Sequence, residues 1–259
     1  MSATSVNYPT GECFIKCDLI ESTNPGSYAL HQEVPIADTP TEDSTAKVWI
    51  EALSIVGNRH TSGLSSNSAI YKNSGGNLYV TTQKVSGSIN TEGAFGTFYL
   101  TAQKQQGWAP DDPADGMIQL GGALSHIEIL ECIDGGNTGA HIYVTAGTHN
   151  LNVKSFVKDS AGACVLMEGG TLNLSGKFDT SIIATSSPIV KTGGTLNLNC
   201  VELIAESTQD SISASTAQTV VSSASKCFQE VNANVSVEGD LFYDDGTDPS
   251  GKVATGNAD

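Results

Sequence analysis

The chain has 259 residues and a formal net charge of −16, and Arg59 is the sole arginine among its 12 basic side chains. Such a surface lacks the clustered cations that displace counterions from a nucleic-acid backbone, and anionic membrane surfaces are disfavoured for the same reason. Charged residues are 15%, under the roughly 25% usual for soluble chains, and Ser, Thr, Asn and Gly fill the gaps between short apolar runs without a helical period, which leaves an all-β chain.

In chain order, the start MSATSVNYPT has neither the basic nor the apolar segment of a secretory signal, and no run of 18 apolar residues follows. No signal peptide and no membrane insertion are expected. Residues 1–66 hold turn-prone clusters, STNPGS and DTPTEDST, with Pro9, Pro25, Pro35 and Pro40 among them, and read as a separate N-terminal anchoring or capping region. Their one strong strand signal is Val48-Trp49-Ile50 with Leu53 and Ile55-Val56. It fits an irregular first rung or a cap over a solenoid end, with Trp49 as part of the cover.

From 67 to 243 a repeat takes over. The string GGTLNL occurs at 169–174 and again at 193–198, 24 residues apart, each copy preceded by an apolar stretch. A period of that size is expected of stacked coils whose units cannot bury their apolar faces alone. The apolar-x-apolar core recurs at Leu78, Phe98, Ile127, Leu151, Leu172, Leu196 and Val235, seven positions spaced 20, 29, 24, 21, 24 and 39 residues apart. A second apolar strand precedes six of the seven, at Ile70, Ile118, Ile142, Val165, Ile189 and Phe228, with a Gly- or Asn-rich corner between. Period-two alternation sends these apolar residues inward. The outward positions then include a line Asn152, Asn173, Asn197, which predicts an amide ladder along the rod.

The sequence reading is therefore an all-β parallel β-helix of about seven rungs over 67–243, with an irregular N-terminal region and an acidic, turn-rich tail at 244–259. Six cysteines (Cys13, Cys17, Cys132, Cys164, Cys200, Cys227) are expected as free, mostly buried thiols, since no zinc-ligand spacing follows the Cys13/Cys17 pair.

The loop GWAPDDPADG at 107–116 is the local candidate for a glycan site. Trp108 offers an apolar ring, and Asp111, Asp112 and Asp115 can accept hydroxyl hydrogen bonds. A Pro-Asp turn with Trp108 covering the solenoid side fits the same residues. Glu128, with His126 two residues away, is the only carboxylate on the aligned outward face, and hydrolysis of a glycoside needs a pair. No Ser-His-Asp, Cys-His, P-loop or dinucleotide pattern stands out. No catalytic residue, metal or cofactor is expected.

The rungs at 163–174 and 187–198 resemble the pectate-lyase-like right-handed parallel β-helix superfamily, and together with the absent signal the chain is most similar to its bacteriophage virion members, the tailspikes, fibres and capsid decoration proteins. The resemblance covers about two thirds of the chain. It implies a non-enzymatic virion component made in the host cytoplasm, docked to other virion proteins through its N-terminal region. It also implies association of the solenoid as a homo-oligomer, a trimer in many members, and contact with a host-surface glycan. A surface-polysaccharide depolymerase and an adhesin or ice-binding solenoid are the alternatives.

Overall fold

A computed structural model describes residues 11–22, 28–32, 46–57, 68–73, 75–91, 95–107, 118–134, 136 and 139–244, and the short strand 252–253. The proposed glycan loop, with Trp108, Asp111, Asp112 and Asp115, lies outside the described residues, as does nearly all of the tail.

The described residues form no helix and two sheets. The longer sheet contains β1 (Glu12–Glu21), β3 (Lys47–Val56), β5 (Asn77–Ser86), β7 (Thr97–Gln106), β9 (Leu124–Ile133), β11 (Thr148–Val157), β13 (Thr171–Asp179), β15 (Thr195–Ile204), β17 (Gln218–Cys227) and β18 (Val235–Tyr243), stacked in that order. All ten pair in parallel, and β19 (Lys252–Val253) closes the far edge antiparallel to β18. The shorter sheet stacks β2 (Leu30–Gln32), β4 (Ile70–Lys72), β6 (Ile89–Asn90), β8 (Ile118–Leu120), β10 (Ile142–Val144), β12 (Val165–Met167), β14 (Ile189–Lys191) and β16 (Ile212–Ser213), also in parallel. Each pass of the chain thus adds one strand to either sheet, the architecture of a parallel β-solenoid.

Ile50, Val80, Leu100, Ile127, Leu151, Leu174 and Leu198 occupy one inward register position on successive strands, each at most 2% exposed. Each such side chain stabilises the fold by about 1.5–3 kcal/mol through burial. This register keeps the triplet pairs Leu78–Phe98, Ile127–Leu151 and Leu172–Leu196 but slips by two residues at two junctions. Phe98 pairs with Ser125 rather than Ile127, Leu151 with Leu174 rather than Leu172, and Val235 with Gln218. The strands carry three inward positions, so a two-residue slip keeps every side chain on its face and the alternation cannot detect it. The strands β1, β3 and β17 extend the stack beyond the seven triplets, and Trp49 belongs to its outer wall rather than to an end cover. Phe228 follows β17 in a bend, and the last strand of the short sheet is instead β16.

The doubled GGTLNL owes its glycines to stacking. Gly170 and Gly194 have φ of +70° and +72°, and the Thr after each donates its N–H to the corner below, Thr171 to Gly147 at 2.7 Å and Thr195 to Gly170 at 2.8 Å. A Cβ on Gly169 would sit 2.1 Å from the Thr145 carbonyl oxygen, and one on Gly193 2.1 Å from that of Glu168, so the corners close only without side chains.

Candidate functional site

In β5 the alternation runs Tyr79 out, Val80 in, Thr81 out and Thr82 in, and then both Gln83 and Lys84 face solvent before Val85 turns inward. The corresponding turn leaves Cys200 and Ala224 in the left-handed region, at φ 53° and 48°. Each long strand therefore bends, and the bend is concave towards solvent.

One outward column before the bend reads Phe14, Trp49, Tyr79, Tyr99, His126, Asn150, Asn173, Asn197. Its first five rings stack in succession, with centroids 5.3, 5.3, 4.6 and 4.9 Å apart and planes within 14° of parallel. These distances bracket the strand separation of about 4.8 Å, so the sheet itself sets the stack. From His126 onward hydrogen bonds replace ring contacts. The Asn150 amide donates to His126 Nδ1 at 3.1 Å, Asn173 to Asn150 at 2.8 Å and Asn197 to Asn173 at 2.7 Å. The amide ladder expected from the sequence thus exists with Asn150 as a member in place of Asn152, which lies opposite Glu128 and Ser175.

This stacking limits what the rings can bind. Their faces are turned on one another along the axis, so a sugar meets ring edges and the Tyr79 and Tyr99 hydroxyls rather than an open platform. The outer side of Phe14, 74% exposed, is the exception.

Beside the aromatic half, inside the bend, runs a groove of about 660 Å³. Its floor and walls are Thr81, Thr101, Gln83 and Gln103, with half-exposed Leu53 and Leu130 on the rim. Charge lies on the flanking strands, Lys16 and Asp18 on β1, Glu51 on β3 and Glu128 on β9, with Lys16 paired to Glu51 at 2.6 Å. A second hollow of about 220 Å³ continues along the amide half, and Glu128 lines both. The sequence singled out Glu128 but had no means of placing a groove around it.

A second constellation, whose members no sequence pattern brought together, is wholly interior. Cys132 Sγ lies 3.2 Å from His141 Nε2, and His141 Nδ1 lies 3.6 Å from Asp134 Oδ1. The order thiol, imidazole, carboxylate is that of a nucleophilic triad, yet Cys132 is 2% exposed and His141 not at all. Burial, reinforced by neighbouring Cys164 and Asp134, pushes the Cys132 thiol well above its ordinary range and keeps it protonated. Lys158, also buried, binds the other Asp134 oxygen at 3.0 Å. Burial alone would raise the Asp134 carboxyl, but the Ser160 hydroxyl and the Lys158 ammonium hold it well below the usual carboxylate range. Among the described residues the cluster is a buried ion-pair network, with Cys132, His141 and Lys158 each at most 2% exposed. Of the six free cysteines, Cys132, Cys164 and Cys227 are buried, Cys13 and Cys17 half-buried, and Cys200 exposed.

Comparison with protein-family models, with curated proteins and with solved structures returns no match.

Proposed function

We propose that the chain is a non-enzymatic right-handed β-helix of a phage particle, held to other virion proteins through its N-terminal side, and that its groove receives an uncharged host-surface glycan lengthwise. The observation that carries this reading is the groove beside the ring ladder: hydroxyl and amide side chains repeat on its two middle strands, β5 and β7, and its charges lie on the strands to either side. Neutral donors and acceptors with apolar Leu53 and Leu130 at the rim match the mixed surface of a sugar chain. The strongly negative chain disfavours an acidic one.

Two measurements test the proposal. Mass spectrometry and electron microscopy of the purified particle should find the chain in the virion; absence there overturns the location. Titration with neutral oligosaccharides should give binding that Thr101→Trp, which fills the groove, weakens at least tenfold, and no response in either protein overturns the glycan reading.

Glu128 supports a second reading, a depolymerase, because it borders both hollows. New reducing ends released from host glycan by the wild type and lost in Glu128→Gln would favour it over the non-enzymatic one.

A further inference from the structure

The interior corner around His141 holds an unusual arrangement of hydrogen atoms. Gln105, at the end of β7, donates its amide to the Gly87 carbonyl at 3.3 Å, which turns its own carbonyl oxygen towards His141 Nε2 at 2.8 Å. Nε2 therefore carries the imidazole hydrogen, and the Cys132 S–H donates to the same Gln105 oxygen at 3.0 Å. That leaves His141 Nδ1 bare and aimed at Asp134 Oδ1, 3.6 Å away, with no hydrogen-bond donor on either atom. Two acceptors thus face each other in a dry interior, farther apart than a hydrogen bond reaches.

The groups around the gap decide the effect of that proton. Asp134 is already neutralised by Lys158, which together with the Ser160 hydroxyl occupies its Oδ2. Cys132 and the adjoining Cys164 are uncharged thiols, Phe156 packs its ring 4.8 Å from the imidazole, and Glu131 and Asp179 are the next carboxylates out. Protonating His141 thus places a net positive charge in a corner that joins β7, β9, β10 and β11. Burial, with Lys158 adding to it, outweighs the attraction of Asp134, and the imidazole resists protonation below its ordinary range.

We propose that this corner is an acid-sensitive joint, which opens locally when His141 takes up a proton and uncovers the Cys132 and Cys164 thiols while the rest of the solenoid stays folded. Because the closed corner binds the proton more weakly than the opened one, closure is fully favoured above the free imidazole value of about 6.5 and is lost as pH falls below it. Asp134 titrates only in stronger acid, below about pH 4, where its own contribution goes. His149, likewise buried and held below the ordinary imidazole range by that burial, sits in another part of the interior, donating to the Ala146 carbonyl at 2.6 Å.

The test uses the full chain with Cys13, Cys17 and Cys200 replaced by Ser, leaving three buried thiols. Labelling with a pyridyl disulfide, read by peptide mass spectrometry, should leave Cys227 protected and rise at Cys132 and Cys164 by up to about tenfold per pH unit between pH 6.5 and 4, the dependence of one proton. His141→Gln should flatten that rise. Nuclear magnetic resonance of ring-labelled histidine in the unmutated chain gives a second readout that needs no variant to fold, with His141 expected as the Nε2–H tautomer titrating below about 6.5. Labelling that stays flat over this range, labelling of Cys227 in step with the other two, an unaltered rise in His141→Gln, or a His141 that titrates at or above the free value would each overturn the proposal.

Discussion

The column from Phe14 to Asn197 and the corner around Asp134 both line up unlike side chains along the axis, yet water reaches only the first. On the outer wall a lost contact is replaced by solvent, so each rung contributes a small increment and the ladder tolerates a change of chemistry halfway along, from rings to amides at His126. In the corner solvent is shut out and the polar groups other than the facing His141 Nδ1 and Asp134 Oδ1 are matched to neighbours, so removing one group strands another. The same solenoid thus carries a surface that can vary rung by rung and an interior knot that cannot.

Substitutions sharpen this contrast. Asp134→Ala, which leaves the Lys158 ammonium buried without a counter-charge, should cost about 3–5 kcal/mol in urea unfolding, whereas Asp134→Leu with Lys158→Met should recover most of that loss. Equal losses for the single and the double change would mean that packing, not charge, holds the corner. Leu174→Ala, a cavity in the apolar column, is expected to cost about 2–5 kcal/mol.

On the outer wall the figures fall. Asn173→Ala removes two ladder hydrogen bonds and should cost about 1–2 kcal/mol, more than Asn197→Ala, which removes one. A ladder variant as costly as the corner variant would erase the distinction between the two regions. Smallest is Lys104→Ala, whose exposed pair with Glu131 at 3.6 Å is worth at most about 1 kcal/mol and should fade further in salt.

Much of the fold was legible in the sequence because its signals are local. Period-two alternation identified the inward face on seven strands, and the paired glycines marked corners where stacked backbones leave no room for a Cβ. Register was legible only in part, because His149 and Ser125 occupy inward positions that an apolar pattern skips, and there the triplet search slid two residues to find Leu151 and Ile127. The ring ladder left a signal that went unread: Phe14, Trp49, Tyr79 and Tyr99 are each the middle residue of an apolar-aromatic-apolar triplet. The corner left none, since Gln105, Cys132, Asp134, His141 and Lys158 come from successive passes of the chain and share no spacing. The groove was hidden for a similar reason, as concavity belongs to the bend and not to any one strand.

Disulfide trapping tests the central claim, the parallel register that builds the ladder, most directly. Register neighbours on adjacent strands lie about 4.8 Å apart, inside the roughly 4.4–6.8 Å that a disulfide spans, while a two-residue diagonal exceeds about 7 Å. Asn150→Cys with Asn173→Cys should therefore form an intramolecular bond on mild oxidation, and Asn152→Cys with Asn173→Cys should not. The reverse outcome, a bond at 152 and 173 with none at 150 and 173, would contradict the register and with it the ladder.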